Sequence, residues 1–260
     1  MRLALLGVRG STPAPGPAFV RFGGHTSCLA VLDERGVPTL VLDAGTGLRG
    51  LTGLLDGAPF QGSIVLTHLH WDHLQGLPFS PALDRPDARV DLHLPGEHPA
   101  EPLERFMSPP LFPIGPSGLR GSWRILSTAS GEIEGYDVRV AEITHKGGVT
   151  HGIRVSRGGV SFAYLPDHSP QLGSAAAEEL AADVDLLLHD GQFLAGEQGI
   201  ADAYGHATIP DALAFAERCR ARRLVLTHHA PGRVDDDLDV LAKELSGVAE
   251  LAREGDELIV

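Results

Sequence analysis

A chain of 260 residues, 43% apolar and without the run of roughly 18 apolar residues that a membrane helix needs, reads as a soluble globular protein with no membrane contact. Its formal charge of −13 comes from 21 basic and 34 acidic residues, and the densest basic group, ERCRARR at 217–223, reads as a solvated helix end; no long nucleic acid is expected as a partner, whereas a small anionic substrate stays open because bound cations would reverse the local sign. Two cysteines, Cys28 and Cys219, make no disulfide framework, and the N-terminal stretch lacks a full signal-peptide apolar region, so a cytoplasmic location is expected; a homodimer is the one assembly left open.

The first predicted element is a strand over 2–8. Strands over 27–33 and 38–43 follow, and the turn residues ERG at 34–36 predict a hairpin between them. A helix over 46–56 leads to a strand over 63–67, then a strand over 89–94 and a helix over 99–107. Residues 108–122, SPPLFPIGPSGLRGS, are rich in Pro and Gly, carry Leu111 and Phe112, and read as a long loop covering a site. Strands over 136–144, 151–157 and 160–165 come next, the last two joined by RGG at 157–159. A helix over 174–182, a strand over 184–189, a helix over 208–221, a strand over 223–227, a helix over 235–253 and a final ELIV strand complete the chain. In the helix over 208–221, Ile209, Ala212, Leu213, Phe215 and Ala216 fall near helical spacing, and Pro210 suits the first turn. A meander-like first half and an alternating second half fit two sheets covered by helices, as one domain over 1–260.

Histidine is the compositional signal, at 13 residues. THLHWDH at 67–73 places His68, His70, Asp72 and His73 just beyond an apolar strand. Alternate residues of an extended run point to one side, so His68 and His70 can serve one ion while Asp72 and His73, from the following turn, serve its neighbour. Imidazole with carboxylate suits zinc first, then manganese or iron, and calcium poorly. Further ligands must come from other strand ends at the same rim. His145, Asp167 and His228 each follow an apolar strand, though His151 competes with His145 and His229 with His228.

With these pieces in view, the chain resembles the metallo-β-lactamase fold superfamily, on its ribonuclease Z-like phosphodiesterase branch. The matching segments are VLDAGTG (41–47), THLHWDH (67–73), ITHKGGVTHGIRV (143–155), AYLPDH (163–168), LLHDGQF (187–193), YGHAT (204–208) and LTHHAP (226–231), in that family's order; the early GSTPAPG and GGHTSC are similar to the same branch. The resemblance implies an α+β fold of the αββα sandwich type, with two mixed β-sheets packed face to face and helices on the outer faces. It also implies two divalent metal ions. His68, His70 and His145 would hold one ion; Asp72, His73 and His228 the other; and Asp167 would bridge them. Asp43 would sit beneath the site and orient a ligand. Asp190 and His206 would form a proton-donating pair that, with Asp72, makes up the catalytic set.

The resemblance implies a metal-dependent hydrolase, with a small phosphodiester of the cyclic nucleotide or cyclic phosphate type as the expected substrate. Only 21 residues separate His145 from Asp167, where ribonuclease Z carries a long basic arm. Hydrolysis of a carboxylic ester, lactone or thioester on the same ions, or metabolite binding without catalysis, are the alternatives. His25 is a candidate phosphate contact in the turn at 22–28, and His151 a candidate substrate contact.

Overall fold

The structure is a computed structural model that describes residues 1–173 and 175–260. The first sheet contains β1 (Arg2–Gly7), β2 (Cys28–Leu32), β3 (Pro38–Leu42), β4 (Gln61–Val65), β5 (Arg89–Leu94) and β6 (Ser122–Ser127). The second contains β7 (Gly131–Ile133), β8 (Tyr136–Glu142), β9 (His151–Arg157), β10 (Val160–Leu165), β11 (Leu186–Asp190), β12 (Leu224–Thr227) and β13 (Glu250–Leu251). The last strand, β14 (Glu257–Ile259), returns to the first sheet, so the two orders are β14-β1-β2-β3-β4-β5-β6 and β13-β12-β11-β10-β9-β8-β7. Both sheets are mixed. Antiparallel pairing runs from β14 to β3 and from β7 to β10, and parallel pairing from β3 to β6 and from β10 to β13.

Side-chain alternation explains the layering. In β1, Leu3 and Leu5 point into a core between the sheets, where they meet Tyr136, Val138, Ile153, Val155, Phe162 and Leu186 of the second sheet. Ala4 and Leu6 point the other way, into a second core covered by α1 (Leu51–Leu54), α2 (Trp71–Leu74) and α3 (Ala100–Phe106). A third core lies outside the second sheet, under α4 (Ala175–Ala181), α6 (Ile209–Arg218) and α7 (Asp235–Glu244); α5 (Gln198–Tyr204) lies between α4 and α6 in the chain. Strands covered on both faces read as unbroken apolar runs, and CLAVL of β2 is buried at every residue. Helix, sheet, sheet, helix is therefore the observed order of layers. Among the described residues no helix is long and apolar enough to cross a membrane.

Several elements depart from expectation. The helix expected over 235–253 stops at Glu244, because Gly247 takes a positive φ of 82° and the chain then pairs as β13. Residues 46–56 form a 3-10 turn over Thr46–Gly50 followed by the short α1. β6, β7 and β13 were not anticipated, nor were α2 and α5: β6 and β7 are edge-near and partly exposed, so their apolar pattern is weak. The helix expected over 174–182 is α4, and Ser174 lies outside the described residues. Both predicted hairpins form, β2–β3 and β9–β10.

Candidate metal centre

The topology brings five chain segments to one rim. His68 to His73 leave the C-terminal end of β4. His145 follows β8, Asp167 follows β10, Asp190 ends β11 and His228 follows β12. β8, β10, β11 and β12 run in one direction, so their C-terminal ends share an edge of the second sheet. That edge faces the loop after β4, and the cluster spans the seam between the sheets.

Ligand-capable atoms of His68, His70 and His145 lie within 4.8 Å of one another, as do those of Asp72, His73 and His228. These are the two triads that the resemblance implies. Asp167 lies between them: its Oδ2 is 3.0 Å from His73 Nε2, and its Oδ1 is 3.3 Å from His228 Nε2, 3.8 Å from His145 Nε2 and 3.9 Å from His68 Nε2. His73 Nε2 and His228 Nε2 are 3.4 Å apart, and His145 Nε2 and His70 Nδ1 are also 3.4 Å apart.

The outer hydrogen bonds decide which ring nitrogens face inward. A carbonyl can only accept, so His145 Nδ1–H donates to Gly205 O at 2.8 Å and leaves Nε2 as a lone pair toward the cluster. His73 Nδ1–H donates to Asp43 Oδ2 at 2.8 Å, while Asp43 Oδ1 accepts from the Thr67 backbone N–H at 2.8 Å and the Thr67 hydroxyl at 2.9 Å. Asp43 thus locks the end of β4 and a ring of the cluster together. Asp43 and His228 both hold left-handed backbone, at φ 60° and 61°, a conformation that non-glycine residues keep only where the surroundings impose it.

The residues fit a pair of cations on two counts. Among the described residues, the buried His68 Nε2 and Asp167 Oδ2 make no hydrogen bond of good geometry, which is costly for groups with nothing to bind. The donor set, five imidazoles and two carboxylates, is the chemistry that zinc and its neighbours take. Protonation agrees. Burial, reinforced by neighbouring imidazoles, holds His68 well below the usual histidine range and lowers His70; burial also lowers His145. Their neutral forms are the ones a cation binds. Burial would raise Asp72 and Asp167, but the facing histidines outweigh it and keep both well below the carboxylate range. For His73, burial is outweighed by Asp167, Asp43 and Asp72, which push it well up.

Beside the cluster, His206 Nδ1–H donates to Asp190 Oδ2 at 2.7 Å. The His206 ring stacks on that of His228, with centroids 5.3 Å apart and planes 25° from parallel. Burial alone would lower this imidazole, but the charge and hydrogen bond of Asp190 raise it to about 9. The cluster and His206 line a cavity of about 800 Å³, with Leu69, Trp71, Phe193 and Tyr204 among its walls.

The open pairs separate. His228 is in the cluster, whereas His229 points into the core and its Nε2–H donates to Ala252 O at 2.8 Å. His145 is in the cluster, whereas His151 sits at the start of β9, where its backbone N–H donates to Thr67 O at 2.8 Å. His151 does not line the cavity, and neither does His25, whose Nδ1 is 3.2 Å from Thr46 Oγ1. Leu111 of the long loop lines a separate groove, which shares Leu69 and Trp71 with the cavity.

Two contributors escaped the sequence reading. Ser11 lines the cavity, and its backbone N–H donates to Asp72 Oδ2 at 2.6 Å. Gln192 holds the Ser11 hydroxyl through Nε2 at 3.0 Å. The usable signal was the Gly-rich stretch leaving the first strand, since a chain that turns at a strand end sits at the rim.

The sequence profile of the β-lactamase superfamily domain matches residues 39–229, most of the chain and the whole cluster. The chain belongs to this family. A ribonuclease BN of Erwinia tasmaniensis is 26% identical over 83% of this chain and 90% of its own length. A ribonuclease Z of Geobacillus kaustophilus is 49% identical, but over only 20% of this chain and 17% of that protein. Among solved structures, the metallo-β-lactamase fold protein YhfI from Bacillus subtilis superposes with a TM-score of 0.76 at 19% identity, covering 99% of each chain. A diphosphatase of the PhnP family superposes with a TM-score of 0.75 at 21% identity, covering 100% of this chain and 97% of that one. These likenesses establish the metallo-β-lactamase fold.

Proposed function

We propose that this β-lactamase superfamily member hydrolyses small phosphodiesters, of the cyclic nucleotide or cyclic phosphate type, on a pair of divalent cations with zinc the first candidate. The observation that carries the reading is the Asp190–His206 pair beside the cluster. Two cations bound by the triads would supply activation of water near neutral pH and counter-charge for the phosphoryl oxygens. A departing alkoxide also needs a proton. His206 keeps its Nδ1 proton on Asp190, so its Nε2 proton is the one to give. Water oxygen bonds to phosphorus and releases one proton to solvent, the bond to the leaving oxygen breaks, that oxygen takes the Nε2 proton, and His206 is reprotonated from solvent.

A small substrate suits the region between His145 and Asp167. It holds the β9–β10 hairpin, not an extended basic arm. The net charge of −13 also opposes long RNA. The names of the ribonuclease and diphosphatase relatives are consistent with phosphoryl chemistry and are not carried further.

The test is metal content of the purified protein, followed by bis(p-nitrophenyl) phosphate and carboxylic ester assays on the same sample. Two transition metals per chain with diester turnover, and a loss of about 10²–10⁴-fold in His206→Ala, are expected. Ester turnover that His206→Ala leaves intact, with no diester turnover, would replace this reading with an acyl hydrolase.

A further inference from the structure

The cavity has two chemically distinct parts. One is the His/Asp cluster. The other is a broad apolar wall, contributed by both sheets: Leu69 and Trp71 from the loop after β4, and Phe193, Ile200 and Tyr204 from the segment after β11. Trp71 is 75% exposed, Tyr204 60% and Ile200 47%, although such side chains are normally covered. Ile200 and Tyr204 are four residues apart on α5 and therefore share a face. Two flat rings and an aliphatic side chain thus stand open to solvent around the reacting centre.

Charge narrows the occupant. Among the described residues lining the cavity, Lys146 carries the only permanent positive charge. Its Nζ donates one hydrogen bond, to Ala203 O at 2.6 Å, and lies 5.9 Å from the Tyr204 ring centroid. No arginine lines the cavity. A ligand with several phosphates away from the cluster would meet that one ammonium, whereas a planar neutral group would find aromatic faces.

We infer that Trp71 and Tyr204 are specificity-determining residues that select a diester with one planar aromatic group, such as a nucleobase, over diesters without a ring. This inference rests on the phosphodiesterase reading for its turnover arm, and its binding arm is independent of that reading. An alkyl chain lying along the groove next to Trp71 is the competing occupant.

The metal-loaded protein is assayed with adenosine 2′,3′-cyclic monophosphate and with glycerol 1,2-cyclic phosphate, which presents the same cyclic diester without a ring. Binding of both to metal-free protein is measured by calorimetry. The expected result is at least tenfold tighter binding and lower KM for the adenosine compound. Trp71→Leu keeps an apolar side chain but removes the flat face, and should reduce the kcat/KM ratio between the two substrates about tenfold, mainly through KM. Tyr204→Phe should keep the ratio and Tyr204→Leu should reduce it, which separates an effect of the ring from one of the hydroxyl. Equal affinities for the two compounds, or a Trp71→Leu effect equal on both, overturns the inference. So does tighter binding of an alkyl diester such as butyl methyl phosphate than of the adenosine compound. Ring-selective binding without turnover of either compound would instead defeat the phosphodiesterase reading and leave the aromatic selection standing.

Discussion

At the residue scale, Asp43 shows how much of the candidate metal centre lies outside the residues that would hold the ions. Its carboxylate accepts from the His73 ring, the Thr67 backbone and the Thr67 hydroxyl, and it is fully buried. Groups that orient a ligating imidazole typically cost 10–100-fold in metal affinity when altered. Asp43→Asn keeps an acceptor, and asparagine tolerates the left-handed backbone at this position. The variant should fold and bind zinc about tenfold or more weakly, measured by competition with a chromophoric chelator; unchanged affinity would remove Asp43 from the site. The reading of His68, His70, Asp72 and His73 was possible because short-range spacing carries it, whereas Asp43 came only with the family resemblance. Ser11 and the Gly205 carbonyl were not readable in that way, because a backbone N–H or C=O contributes whatever the side chain is. Nor could spacing separate His228 from His229. The left-handed turn at His228 decides that, and it exists only in the folded chain.

At the element scale, α6 begins three residues after His206, and its start is fixed by a reciprocal cap. The Thr208 hydroxyl donates to Asp211 Oδ2 at 2.7 Å and accepts from the Asp211 backbone N–H at 3.4 Å, and the Thr208 backbone N–H donates to Asp211 Oδ2 at 3.1 Å. Thr208→Ala should destabilise the protein by about 1 kcal/mol. Urea unfolding reads this as a lower midpoint at unchanged slope. The helix itself was legible from the spacing of Ile209, Ala212, Phe215 and Ala216, which all reach the outer core. α2 and α5 were not legible. α2 is four residues long and shares its sequence with the metal motif, so its composition reports on ligands, not on helix formation. α5 leaves Ile200 and Tyr204 exposed, which breaks the link between apolar residue and core that periodicity arguments need.

At the scale of the whole molecule, acid sensitivity follows from histidines buried away from solvent. Burial is the main cause of the low value of His229, about 4, and it also lowers His189. Unfolded histidine titrates near 6.5, so below about that pH the unfolded chain takes up protons that the folded chain refuses. The contribution of these two histidines is therefore fully present above pH 6.5 and falls as the pH drops toward 4. His229 alone should account for about 3 kcal/mol over this range. This window lies above the one in which Asp72 and Asp167, held low by their histidines, lose their contribution. Denaturant titrations of metal-free protein between pH 7 and pH 4 should show the fall, and His229→Gln should make it shallower; an equal slope in the variant would assign the loss to other groups.

The two sheets also meet far from the rim, where the buried Tyr136 hydroxyl of β8 donates to Leu32 O of β2 at 3.3 Å. His68 belongs to the first sheet's loops, and His145, Asp167 and His228 to the second's. Coordination bonds tolerate deviations of only about 0.2 Å. The sandwich interior therefore acts as a bearing whose play sets the working tolerance of the chemistry. A side chain such as Tyr136, which touches no substrate, helps to determine how true the two halves of the reaction centre run against each other.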